Sequence, residues 1–117
     1  MGTYTAKMLL EDAEECDSKF FTPATMRFWD SRLLEGSVTL MQTEAGTWQY
    51  VFITSEKGPF DGDQRRYTVR LAHVERGDDQ PDEMLFDALG FQAHSTRRDA
   101  YAALDAFVNG SNVGEAL

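Results

Sequence analysis

At 117 residues the chain reads as one domain spanning 1–117, long enough to bury a core of its own but not two. With 42% hydrophobic and 26% charged residues it has an ordinary globular composition. Twenty acidic residues against eleven basic leave a formal charge of -9, which argues against general affinity for nucleic acid or anionic membrane and favours a basic or neutral partner surface.

The start of the chain, MGTYTAKMLLEDAEE, lacks the basic opening and unbroken apolar stretch of a signal peptide. No apolar run anywhere approaches the roughly 20 residues needed to span a bilayer, so the expected location is the cytoplasm. Between Thr5 and Asp17 the residues Ala6, Met8, Leu9, Leu10, Ala13 and Cys16 recur at helical spacing, with Glu11, Asp12, Glu14, Glu15 and Asp17 outside them. An amphipathic helix follows, its acidic cluster placed late, at the unfavourable end of the helix dipole. Cys16, the single cysteine, has no internal disulfide partner and reads as a small core residue.

In SKFFTPATMRFWDSRLL, Thr22 before Pro23 is a helix-start signal, predicting a short aromatic helix from about Pro23 to Ser31. Phe20, Phe21, Met26, Phe28 and Trp29 would anchor it, with Arg27 and Arg32 flanking the apolar surface. From Arg32 to Thr43 a strand is expected, bent at Gly36, with Leu34, Val38 and Leu40 on one parity. Gly46 in TEAGTW offers the positive backbone angle of a hairpin turn.

The strongest strand signals come next, in TWQYVFITS and QRRYTVRLAHVER, joined by EKGPFDGD. In the second, Tyr67, Val69 and Leu71 alternate with Arg66, Thr68 and Arg70, which predicts an apolar face inward and a basic face outward. In the first, Trp48, Tyr50 and Phe52 oppose Val51 and Ile53, so both sheet faces should be at least partly covered. The polar GDDQPDE reads as a solvent-exposed loop, and a further short strand is expected near Phe91 to His94. Ser95 or Thr96 then caps a last helix, RRDAYAALDAFV, with Thr96 and Asp99 at capping-box spacing, the helix ending before Asn109 and the tail 110–117 frayed. The fold class is therefore α+β: a three- or four-stranded antiparallel sheet with an N-terminal helix, a short aromatic helix and a C-terminal helix.

Few residues are arranged for catalysis. His73 and His94 are far apart in sequence and read as structural, no HxxxH, HExxH or CxxC spacing occurs, and Asp61-Gly62-Asp63 resembles a calcium-loop fragment without its closing glutamate. The expectation is a protein that is not an enzyme and takes no metal and no cofactor. Two binding surfaces compete instead. One is acidic, from Glu11, Asp12, Glu14, Glu15 and Asp17 together with Asp78, Asp79, Asp82, Glu83 and Asp87, and would meet a positively charged protein groove, even one built for DNA or RNA. The alternative is a basic sheet face, Arg65, Arg66, Arg70 and Arg76 with Arg97 and Arg98, which beside Trp48 or Tyr50 would stack and clamp RNA or single-stranded DNA. Against it, those arginines have many carboxylates to pair with internally. A dimer through a spare aromatic face is a further, blander possibility.

The segments KFFTPATMRFWDSRLL, YVFITSEKGPFDGDQRRYTVR and FQAHSTRRDAYAAL together resemble a family of short proteins, without an assigned activity, found widely in bacteriophages and prophages. The family pattern is close to FF-x-P-x-TMRFF-x-SR, a TSE after a strand, and RRYTVR, and the likeness runs from about Lys19 to Leu104. Trp29 stands where Phe is usual, and GPFDGD and the acidic loop after Arg76 are particular to this chain. The resemblance implies a phage or mobile-element setting, where small accessory proteins bind and redirect host proteins, defence systems among them.

Overall fold

The computed structural model describes residues 2–18, 20, 32–57 and 64–116, with side chains described between residues 4 and 110. In chain order these form α1 (Gly2–Glu15), β1 (Arg32–Gln42), β2 (Trp48–Glu56), β3 (Arg66–Glu75), β4 (Glu83–Ala88) and α2 (Arg97–Ala116). The four strands make one antiparallel meander in the order β1-β2-β3-β4, so the fold is α+β. The expected aromatic helix from Pro23 to Ser31 and the loop 58–63 lie outside the described residues.

Both faces of β2 are covered, as its unbroken apolar run requires. Tyr50 and Phe52 join Ala6, Leu9 and Ala13 of α1, while Val51 and Ile53 join Ala100 and Leu104 of α2. The sheet is thus the middle layer of three. α1 stops where Asp17 takes a left-handed backbone at φ 52°, with the Ser18 amide bonded to the Ala13 carbonyl at 2.8 Å and the Asp17 amide to Glu14 at 3.0 Å. That pair of bonds satisfies carbonyls that would otherwise be orphaned at the helix end.

β1 changes face partway along. Leu34 lies opposite Ile53 and Thr39 opposite Val51, so β1 advances five positions while β2 moves two. The odd surplus flips side-chain parity. Leu33 therefore faces α1 and Leu34 faces α2, whereas beyond the bulge Val38 and Leu40 face α1 and Met41 faces α2. The expected shared face of Leu34, Val38 and Leu40 is corrected accordingly, although the bend at Gly36 falls inside this bulge. Buried Ser37 fills the gap: its hydroxyl donates to the Leu34 carbonyl at 2.6 Å and accepts the Ile53 amide at 2.8 Å. Two backbone groups the bulge strips from the ladder are thereby satisfied.

The β1–β2 turn is closed by Gly46 at φ 86°, whose amide donates to Thr43 at 2.9 Å. After β3, Gly77 allows the chain to fold back sharply, since a Cβ there would lie 2.1 Å from the Gln80 carbonyl oxygen. The fourth strand is Glu83–Ala88, not the expected Phe91 to His94. Met84 and Phe86 supply its contact with the α1 face, whereas Phe91 sits between two left-handed residues, Gly90 at φ 85° and Gln92 at φ 55°, a backbone that no strand tolerates. His94 makes only an isolated bridge to Tyr67. Thr96 caps α2, accepting the Asp99 amide on its hydroxyl at 3.1 Å. The helix runs on through Asn109 and Gly110 to Ala116, past the expected stop before Asn109.

Candidate binding surface

On α1 the carboxylates Glu11, Glu14 and Glu15 are exposed, as is Asp17 just beyond it. Asp12 differs. It is half-buried, and its Oδ2 accepts a 2.5 Å hydrogen bond from the Tyr50 hydroxyl at the start of β2. Burial, that bond and the charges of Asp12 and Glu11 push the Tyr50 phenol well above its ordinary value. The second Asp12 oxygen has no partner among the described residues.

The other acidic cluster lies on the β3–β4 connection. Asp78, Asp79 and Glu83 are exposed there, and Asp87 is exposed on β4. Asp82 accepts from the Arg76 guanidinium at 2.5 Å and from the Gly77 amide at 3.2 Å, which together hold its carboxyl below the usual carboxylate range. Cys16 links the two clusters. Its thiol is pushed up first by burial, then by Asp82 of the connection and Asp12 of α1. Asp82 thus lies near the end of α1 despite its distance in sequence, and Arg76, which lines a groove with Asp12, is matched by Asp82 itself.

Two members of the expected basic face, Arg70 and Tyr50, turn away from solvent. Arg70 turns inward on the α1 side of the sheet, its side chain 12% exposed, and its Nη2 lies 2.9 Å from Oε1 of fully buried Glu56. That carboxylate also accepts from the Thr54 hydroxyl at 2.5 Å and the Thr68 hydroxyl at 2.8 Å. Each hydroxyl in turn accepts one N–H, from Arg70 Nε at 2.8 Å and from the Gln92 amide at 2.8 Å. Both threonine hydroxyls thus direct their protons at Glu56, whose two oxygens act as acceptors in the network. The Arg70 guanidinium lies 5.6 Å from the Phe20 ring centroid and 5.7 Å from that of Phe91, and Phe20 stacks on Phe86 at 3.8 Å. The outward basic face predicted from alternation is thus corrected: a buried carboxylate and aromatic rings draw Arg70 in. Tyr50, expected as an exposed stacking platform, is 4% exposed because it lies under α1.

The remaining members of that alternative come from three elements and the end of the loop before β3. Arg65 donates to the Ser55 hydroxyl at 2.5 Å and to the Ser55 carbonyl at 2.7 Å, on the parity of the α2 face. Arg66 shares the parity of Arg70, and Arg97 and Arg98 are exposed at the start of α2. Trp48 is 57% exposed at the far end of β2 from Glu56.

His94 exchanges backbone hydrogen bonds with Tyr67, at 2.8 and 3.1 Å, whereas His73 is half-buried six residues further along β3. Strand rise puts the two about 20 Å apart. Among the described residues no group of three or more His, Cys, Asp or Glu is placed to hold a metal ion, and no helix is long and apolar enough to cross a membrane. The Asp61–Asp63 fragment lies outside the described residues.

Sequence reasoning missed two features. One is the buried Glu56 network, whose only trace was a charged residue ending an apolar strand. The other is an open groove of about 320 Å³ between α1 and the sheet, lined by Asp12, Trp48, Tyr50, His73 and Arg76 among others.

The chain belongs to a family of unknown function, DUF7447, whose model matches residues 5–105. No curated protein and no solved structure matches it.

Proposed function

We propose that this DUF7447 member is a non-catalytic binding module that presents one acidic surface, built from the end of α1 and the β3–β4 connection, to a basic surface on another protein. The observation that carries the reading is that Asp12 of α1 lines one groove with Arg76, which is itself held by Asp82 of the β3–β4 connection, so the two charge runs border the same surface. The internal use of Arg70 and the pairing of Arg76 support it from the other side, because they withdraw positive charge that would dilute that field. The likeness to phage and prophage proteins extends the proposal: the partner is a host protein that handles nucleic acid, a defence complex included, met in the cytoplasm. Carboxylates then occupy a groove made for phosphates, with fast, salt-sensitive association.

The test is charge reversal. The full chain with Glu11→Lys, Glu14→Lys and Glu15→Lys is compared with the natural chain as bait in host extract. These positions are exposed and late in a helix, where cations suit the dipole, so the circular dichroism spectrum should be unchanged. The expected result is a partner, identified by mass, whose capture is lost on reversal, weakens with salt and is competed by duplex DNA. Capture that survives reversal undiminished refutes the proposal.

A further inference from the structure

Trp48 stands between two grooves. On one side is the 320 Å³ groove that contains Asp12 and Tyr50. On the other, one of about 490 Å³ runs along the β1–β2 turn to Val108 of α2 and contains Glu44. Each groove thus combines one carboxylate, an apolar wall and an edge of the same exposed indole, which is 57% accessible. Leu40 forms apolar wall in both, joined by Met8 in the first and Met41 in the second.

We propose that the Trp48 ridge is the contact point for an arginine-bearing segment of the partner, with one guanidinium in each groove, against Asp12 in the first and Glu44 in the second. The inference rests on the acidic-surface reading and names what that surface takes hold of. The first groove is preorganised. The Tyr50 hydroxyl fixes the Asp12 carboxylate through one oxygen and leaves the other without a partner among the described residues, so an incoming cation meets an acceptor already held in place. Its one guanidinium, Arg76, is held by Asp82, and Glu11 adds a further negative charge felt at the Tyr50 hydroxyl. A second cation is therefore admitted where an anion would face uncompensated carboxylates. Arginine fits better than lysine because its planar guanidinium stacks on an indole and its stem covers apolar wall.

The test uses blocked hexapeptides carrying two arginines one to three residues apart, titrated into the isotopically labelled full chain at low salt. The indole N–H signal of Trp48 is identified by its loss in Trp48→Phe, a substitution at a side chain mostly outside the core. The expected result is a saturable shift of that signal with an arginine peptide, none with the citrulline peptide of the same shape, and a smaller effect with lysine. Asp12→Asn keeps an oxygen for Tyr50 while removing the charge, and with Glu44→Gln it should weaken binding by about three- to tenfold each. No shift at millimolar peptide, an equal shift with citrulline, or a shift with a glutamate peptide overturns the proposal. Failure here is separable from failure of the parent reading. If the arginine peptide does nothing while partner capture still falls on reversal of Glu11, Glu14 and Glu15, the ridge is wrong and the acidic surface stands. If the peptide binds and capture ignores the reversal, the surface reading falls and the ridge survives.

Discussion

Replacing Glu56 with glutamine tests the buried network directly. Three donors converge on the natural carboxylate, from Thr54, Thr68 and Arg70, and the carboxylate is 0% exposed. The amide has one acceptor oxygen in place of two and brings two hydrogens of its own, so at least one donor is left unmatched and Arg70 loses its counter-charge at 12% exposure. Breaking one side of such a pair costs about 3–5 kcal/mol. An unfolding entropy near 2.1 cal/mol/K per residue gives roughly 0.25 kcal/mol/K for this length, so Tm should fall by about 12–20 °C. Urea unfolding at pH 7 followed by far-UV circular dichroism measures the free energy, and thermal melts check the conversion. Arg70→Met should cost a comparable amount, whereas the double variant Glu56→Leu with Arg70→Met should recover much of the loss, because a well-filled apolar replacement leaves no charge stranded. A Glu56→Gln protein within about 1 kcal/mol of the natural chain refutes the reasoning.

Ser37→Ala should destabilise by about 1–3 kcal/mol in the same urea assay, since the Leu34 carbonyl and the Ile53 amide both lose their partner inside the bulge; faster hydrogen exchange at Ile53 would mark the site. Tyr50→Phe removes a phenol whose folded value is raised above its ordinary 10.0, so the bond to Asp12 stabilises fully below about pH 10 and is lost as pH rises toward the folded value. The variant should be less stable at neutral pH and should show a shallower alkaline loss, as pH-dependent urea midpoints will reveal. Asp82→Asn should speed iodoacetamide alkylation of Cys16, because it removes a carboxylate that raises the thiol and releases Arg76, which lowers it. An unchanged rate would mean that the two acidic clusters do not share the neighbourhood of Cys16.

Elements whose evidence is local were legible from residues alone. Thr96 with Asp99 marked the start of α2, Gly46 marked the hairpin turn, and the apolar run Tyr50–Ile53 required cover on both faces. Errors arose where a distant partner decides. Arg70 alternates with apolar residues and so reads as solvent-facing, but Glu56 on the neighbouring strand, four residues beyond the Phe52 that pairs with Arg70, provides a buried counter-ion. Leu34 shares parity with Val38 only if β1 is regular, and the surplus residues of the bulge break that premise. Phe91 looks like a strand residue by composition, yet the left-handed angles at Gly90 and Gln92 are imposed by the bridge back to Tyr67 and the Gln92 amide bond to Thr68. The candidate surface was half legible. Both acidic clusters were visible as sequence runs; the groove that brings Asp12 beside Arg76 and its partner Asp82, with the exposed indole on its rim, depends on how α1 crosses the sheet.

The two ends of the α1 face treat charge in opposite ways, which bears on the proposed acidic surface of a chain with eleven basic residues. At the Glu56 end of β2, Arg70 is internalised and capped by Phe20 and Phe91, so its charge is neutralised within the fold. At the Trp48 end, Tyr50 holds Asp12 at the surface and leaves it half-exposed beside Glu11. Exposed charges act over about 8 Å at physiological ionic strength, a distance that favours convergence on one end over an even spread. Reversing Glu35 on β1 or Asp105 on α2, exposed outside both acidic clusters, should therefore change salt-dependent partner association less than reversing Glu11 or Glu15. Equal effects from all four would mean that net charge alone governs association, leaving no role for the placement of α1 against the β3–β4 connection.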